Sequence, residues 1–469
     1  MSDQNMRKEI DRRSFLRSTA AAGAGLVLAP MVGGQASGGA KQDDINVALI
    51  GAGVQGQELL EAVRPIPGVR FKAVCDIWSH NRKLVSGRLR AYGYQHNAYV
   101  DYEEMLDKEK DLDAAIIATP DFWHADHTVG CLRAGLHVYC EKEMSNKLEG
   151  ARRMVQAAKQ SGKLLQIGHQ RRSNPRYIAC YNKLIKDAKL FGRIAAANGQ
   201  WNRSARPDLG SPPKYVLDQA TLEKYGFKSM HQLRNWRWYR DLGGGPIVDL
   251  GSHQIDIFNW FLDAQPKSVI ASGRTNYYDK KTHEWYDTVM AIYEYETKQG
   301  PVTAFYQTVS SSGSGGYYEN FMGDQGVLVI SESNGRCEIY RDINHAPEWD
   351  EWVRKGYLYK QCDCEIKCIE DSKKECIEKC GCEQIKEKET GAVIDVRESP
   401  KPPRYDLPVR MDKKYHQPHL ENFFDAIRGK AKLTCPAEIG YETAVTVLKV
   451  NEAVEAGRKL NFEPEEFKV

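Results

Sequence analysis

Beyond residue 32 the sequence has no long apolar run, so no later segment reads as a membrane-spanning helix. Excess charge is missing as well. The formal net charge is +3 over 469 residues, and residues 1–36 hold five basic and three acidic groups, which leaves the remainder near +1. No basic face follows, which argues against nucleic acid and anionic membrane surfaces as partners. There is no internal repeat, and no cysteine stands just after the N-terminal apolar run where a lipid could be attached. What is present is ordinary for a globular protein: 28% charged and 41% apolar residues, in a chain long enough for two or three domains.

Two features at the N-terminal end constrain each other. Asp11-Arg12-Arg13-Ser14-Phe15-Leu16-Arg17 leads into the Ala/Gly-rich run Ser18–Val32 and small residues to Ala40. A basic start, a short apolar segment and small residues describe a cleaved signal, and Arg-Arg before Phe-Leu makes it twin-arginine type. Residues 1–40 are therefore expected to be a signal peptide that sends the folded protein to the periplasm. Directly after the apolar run Ile45–Ile50 comes Gly51-Ala52-Gly53-Val54-Gln55-Gly56, with Asp76 twenty residues beyond Gly56. Glycines at that spacing bring backbone amides against a pyrophosphate at a helix N-terminus, and the acidic residue can accept from ribose hydroxyls. This favours NAD, while Arg82 and Lys83 nearby leave NADP open. Outside the cytoplasm there is no ordinary dinucleotide pool, so a cofactor carried out with the protein must be held tightly and recycled in place.

From Ile45 to about Ile167 short apolar strands alternate with helical patterns, as in a parallel sheet covered on both faces. Strands are expected at Val47–Ile50, Phe71–Cys75, Ala114–Ala118, His137–Cys140 and Leu164–Ile167, and helices at Gly56–Val63, His124–Ala134 and Leu148–Gln160. Beyond about Ile194 longer strand-like runs take over, among them Val269–Thr275, Thr288–Glu296, Val302–Gln307 and Gly326–Ser331. The fold class is thus α/β: an N-terminal Rossmann doubly wound parallel sheet over 44–168, then an α+β domain over 169–469 with a mainly antiparallel open sheet. Two terminal helical patterns, Gln417–Arg428 and Ile439–Gly457, are expected to pack back on one of these domains.

Thr119-Pro120-Asp121-Phe122-Trp123-His124, Ala134 to Lys142, Gly243-Gly244-Gly245 and Asp249 to Asp256 occur in that order. Together they resemble the Gfo/Idh/MocA oxidoreductases, over nearly all of Ile45–Phe462 except an insertion near 355–390. The family's usual Glu-Lys-Pro is Glu141-Lys142-Glu143 here, a departure that keeps the lysine and adds a carboxylate. The resemblance and the glycine fingerprint imply a cofactor set of Gly51, Gly53, Val54, Gln55, Gly56, Asp76, Thr119, His124, Glu141 and Lys142. The resemblance also places Lys142, Asp249 and His253 around the nicotinamide and a substrate hydroxyl, and exported members similar to this chain oxidise a ring hydroxyl of a glycoside, often at C3.

The chemistry of the residues agrees. Oxidising a secondary alcohol needs a base for the hydroxyl proton, and histidine titrates near neutrality. His253 fits as base, Lys142 as stabiliser of alkoxide character. Asp249, four residues before His253 on a helical face, fits as its orienting partner or as acceptor for a substrate hydroxyl. His169, Arg171, Asn202, Trp236 and Arg237 supply the donors and aromatic planes expected of a sugar pocket. The expected partners are a sugar or glycoside and an electron acceptor or second sugar that reoxidises the cofactor; the resemblance implies a homo-oligomer, and no metal is expected. Two other readings stay open: an NAD-dependent glycosidase with no net redox change, and a non-catalytic sugar-binding protein.

Six of the twelve cysteines, Cys362, Cys364, Cys368, Cys376, Cys380 and Cys382, are spaced palindromically and have no histidine among them. Nested disulfides stapling a helical hairpin fit that spacing in an oxidising compartment, with a metal or iron–sulfur site as the rival.

Overall fold

A computed structural model describes residues 44–361 and 402–469. The signal sequence and the six clustered cysteines, with the disulfides expected of them, lie outside these residues. The six described cysteines are free thiols. Among the described residues no helix is long and apolar enough to cross a membrane.

The first sheet has six strands: β1 (Ile45–Ile50), β2 (Val69–Cys75), β3 (Asn97–Tyr99), β4 (Ala114–Ile117), β5 (His137–Cys140) and β6 (Leu165–Ile167). Every pairing is parallel and the order is β3-β2-β1-β4-β5-β6. β4 is buried along its whole length and β1 at all but one residue, because helices cover both faces. The order reverses between β1 and β4. Both strands run out at the same edge, which opens a crevice beyond Ile50 and Ile117. The helices Val54–Val63, Asp121–Arg133 and Leu148–Ser161 stand close to the expected bounds; the edge strand β3 and the helices Ser79–Ala91 and Tyr102–Lys108 were not foreseen.

The second sheet has ten strands: β7 (Ile194–Asn202), β8 (Pro266–Arg274), β9 (Thr288–Thr297), β10 (Gly300–Val309), β11 (Tyr317–Gly323), β12 (Gly326–Ile330), β13 (Cys337–Arg341), β14 (Tyr359–Lys360), β15 (Arg404–Asp406) and β16 (Leu460–Asn461). Its order is β14-β15-β13-β12-β11-β7-β10-β9-β8-β16, antiparallel except where β7 runs parallel to β10. Burial alternates strictly along β9, so one face packs and the other does not. On the packed face lies the helix Gly245–Leu262, buried at nearly every residue. Gly251 lets it approach: a Cβ there would come within 2.9 Å of the Tyr306 ring.

The two terminal helices divide between the sheets. Leu420, Phe423 and Phe424 of Gln417–Ile427 belong to the same core as β1 and the helix Val54–Val63. The helix Ala437–Ala456 packs against Leu148–Ser161 on one side and against β8 and Gly245–Leu262 on the other. Residues between β15 and β16 in the chain therefore complete the first domain, and the described residues form one compact unit.

Candidate active site

A cavity of about 520 Å³ opens at the β1/β4 crevice and extends to the helix Gly245–Leu262. At the crevice the chain turns on Gly51, whose φ of 93° suits only glycine and where a Cβ would lie 2.5 Å from Ala118 O. Gly53 caps the helix Val54–Val63 with no side chain over its first amides. A Cβ on Gly56 would meet Gly51 O at 1.9 Å, so this glycine keeps the helix against the turn and does not line the cavity. Gly51, Gly53, Val54, Gln55, Asp76, Thr119, His124, Glu141 and Lys142 do line it. Asp76 accepts from Ala52 N at 2.8 Å and from Trp78 N at 2.7 Å, tying the end of β2 to the glycine turn. A backbone cradle with a half-buried carboxylate twenty residues on fits a dinucleotide.

Next along the wall stand Lys142, Asp249 and His253. Lys142 Nζ donates to Asp249 O and lies 3.7 Å from its Oδ1. The Asp249 carboxylate also takes Arg237 Nε at 2.9 Å and Arg203 at 3.2 Å. These cations outweigh the burial that would raise it and hold its pKa well below the usual carboxylate range. Asp249 and His253 share a helix face, as their spacing predicted, but no hydrogen bond joins them among the described residues. Asp249 orients three cations, and His253 Nδ1 is buried without a partner. Burial, then the charges of Lys142, Arg171, His169 and His416, push the His253 pKa well below its ordinary value, so the ring is neutral near pH 7. Asp121, at the start of its helix, faces Arg237, Asp249 and Lys142; burial pushes it up to about 7.

Of the expected substrate residues, Trp236 and Arg237 line the cavity, with the guanidinium 4.3 Å from the indole ring. His169, Arg171 and Asn202 do not. Arg171 is 1% exposed and bound behind the wall to Glu319 and Glu332. His169 is equally enclosed, and Asn202 Nδ2 donates to Ser314 O at 3.0 Å. Sequence position after a strand says nothing about which way a side chain turns; carboxylates some 150 residues away decided it for Arg171. The wall instead carries Gln170, Trp201, Arg203, Tyr317, Glu332, Tyr415 and His416. His416 reaches across to Gln55 at 3.0 Å.

A segment between β7 and the helix Gly245–Leu262 lies over the cradle. Trp78 Nε1 donates to Tyr215 O at 2.6 Å and Trp123 Nε1 to Tyr225 O at 3.1 Å. Arg234 sits 4.5 Å from the Trp78 ring, and Leu209, Phe227 and Leu233 add apolar wall.

Residues 45–169 match the model of the oxidoreductase family with an NAD-binding Rossmann fold, and residues 183–329 match the GFO/IDH/MocA C-terminal domain. The chain belongs to the GFO/IDH/MocA family. Residues 9–29 match the twin-arginine translocation signal. Among similar proteins, an inositol 2-dehydrogenase of Salmonella typhimurium is 30% identical over 232 residues, 48% of this chain and 56% of that one. A 1,5-anhydro-D-fructose reductase of Ensifer adhaerens is 31% identical over 169 residues, 36% of this chain and 43% of that one. The chain thus spans about half the length of the curated relatives it matches. Among solved structures, levoglucosan dehydrogenase in complex with NADH and levoglucosan superposes with a TM-score of 0.62 at 17% identity, covering 90% of this chain and 99% of the other. The WlbA dehydrogenase of Bordetella pertussis with NADH and UDP-GlcNAcA gives 0.62 at 17%, over 90% and 99%. These carry the fold, and GFO/IDH/MocA membership carries the cradle's reading as an NAD site.

Proposed function

We propose that this GFO/IDH/MocA protein is an exported dehydrogenase that oxidises a secondary ring hydroxyl of a sugar or glycoside, with C3 as the position and a 3-keto glycoside as product. The observation that carries the reading is the convergence of Lys142 and a neutral, unpartnered His253 at the end of a dinucleotide cradle. Bound NAD supplies the hydride acceptor. His253 takes the hydroxyl proton, Lys142 donates to the oxygen as negative charge develops, and Asp249 holds Lys142 together with Arg203 and Arg237. The relatives' printed names, inositol 2-dehydrogenase and 1,5-anhydro-D-fructose reductase, support a polyhydroxylated substrate.

The twin-arginine signal supports export to the periplasm with the cofactor already inside, and the segment over the cradle supports its retention. The test is to purify the exported protein without added cofactor, denature it and assay the supernatant for NAD(H). About one per chain is expected, and glycosides should then change the near-ultraviolet absorbance of the loaded protein. An empty protein that cannot bind NAD overturns the reading. Release of free sugar without any electron acceptor would replace it with a glycosidase.

A further inference from the structure

The cavity wall holds a cluster that the proposed reaction does not use. Trp201 on β7 and Tyr317 on β11 are direct cross-strand partners, and their rings stack with centroids 4.7 Å apart at 23°. His253 lies 5.4 Å from the Trp201 ring, so the stack begins beside the proposed base.

Glu332, just after β12, lines the same cavity although only 4% exposed. Its oxygens are held separately, Oε1 by Gln170 Nε2 and Oε2 by Arg171 Nε, each at 3.0 Å. Behind it Arg171 is also paired with Glu319, which accepts from Tyr177 Oη at 2.7 Å. The carboxylate is therefore fixed in place, and each oxygen keeps one unused acceptor position. Gln170, itself buried and lining the cavity, has its Oε1 without any hydrogen-bond partner. Buried acceptors without donors cost free energy unless something else supplies the donors. A sugar ring has hydroxyl donors around its edge and an apolar C–H face that packs on aromatic planes.

Resting on the dehydrogenase reading above, we propose that Glu332 and Gln170 are the subsite that orients the substrate: they accept hydrogen bonds from hydroxyls of an uncharged glycosyl ring laid on the Trp201–Tyr317 stack, and so select the hydroxyl that meets His253. One arginine serves two carboxylates here, so a ring carrying its own carboxylate is refused at this end.

The test uses the NAD-loaded protein, a panel of methyl hexopyranosides, their monodeoxy derivatives and the corresponding uronides. The readouts are kcat and KM for NAD reduction and the position of the keto group by nuclear magnetic resonance. In the wild-type protein, removal of one hydroxyl away from the reacting carbon should lower kcat/KM on the order of ten- to a hundredfold, the effect of a hydrogen bond to a charged acceptor. In Glu332→Gln the same deletion should cost several-fold less, and the keto group should spread over more than one carbon. Uronides should be poor substrates of the wild type. The deoxy series on the wild type needs no variant to fold, and NAD stoichiometry reports whether Glu332→Gln is intact. If a glycoside reduces the cofactor but no deoxy position couples to Glu332, or uronides match the neutral sugars, the subsite is wrong and the reaction stands. If no member of the panel reduces the cofactor in a fully loaded protein, the dehydrogenase reading falls and the subsite with it.

Discussion

His253 and Asp121 are the two side chains whose protonation bears most directly on turnover, and burial moves them in opposite directions. A neutral imidazole can accept a proton across the neutral range, so the acid limb of the rate profile should lie below the ordinary histidine value. Replacing His253 by Ala should leave NAD content and sugar affinity near wild type while kcat falls on the order of a hundred- to ten-thousandfold, the range for losing a positioned base; unchanged turnover would remove His253 from the chemistry. Asp121, raised to about 7, ionises within the working range. As pH rises through that value a negative charge appears beside Lys142 and Arg237, which opposes charge development on the substrate oxygen. The rate profile should therefore carry an inflection near 7 that disappears in Asp121→Asn. A profile identical in the two proteins would show that Asp121 is only a helix-terminal packing group.

At the scale of elements, what could be foreseen follows from how local the cause is. The parallel strands announce themselves because burial on both faces demands continuous apolar residues, as in Ala114–Ile117. The shared face of Asp249 and His253 follows from helix geometry alone. β7 was missed because Ile194–Asn202 reads IAAANGQWN, poor in β-branched residues, and is made a strand by partners on both sides, β10 and β11. The same distance effect hid Glu332 and Tyr317, which reach the cavity only when the ten-stranded sheet brings them there. It also placed Gln417–Ile427 in the first domain, where its apolar face meets the helix Val54–Val63. The segment over the cradle is the element whose role is easiest to measure. Arg234 holds it against Trp78 through a cation–π contact, an interaction worth about 0.5–2 kcal/mol. Arg234→Ala should speed NAD release roughly two- to thirtyfold with little change in thermal stability of the empty protein. An unchanged release rate would mean that the segment does not retain the cofactor.

The whole molecule buries titratable groups of both kinds, and their balance sets its dependence on pH. His124, His127, His169 and His419 are pushed by burial to about 4, 3, 4 and 3, and His253 also falls well below its ordinary value. A histidine depressed in the folded state contributes stability that is present above its unfolded value of 6.5 and lost as pH falls toward the folded one. Burial instead raises Asp76, Glu442 and Glu452 among the described residues, and it raises three carboxyls strongly, Asp121 and Glu319 to about 7 and Glu143 to about 8. Each of these three contributes stability that is present below its unfolded value, 3.8 for Asp121 and 4.5 for the glutamates, and is lost as pH rises through 7 to 8. Between roughly pH 4.5 and 6.5 the two sets oppose, and among the described residues the five strongly depressed histidines outnumber the three strongly raised carboxyls, so stability still rises with pH. Above 6.5 only the carboxyls act, and it declines. Thermal unfolding should accordingly show its highest midpoint near pH 6.5, with a steeper fall on the acid side than toward pH 8. Glu143→Gln, which removes the carboxyl raised to about 8, should flatten the alkaline decline and steepen the rise between pH 4.5 and 6.5, leaving the limb below pH 4.5 unchanged. A midpoint that stays flat from pH 6.5 to 9 would show that the buried carboxyls are ionised and paired in the folded protein.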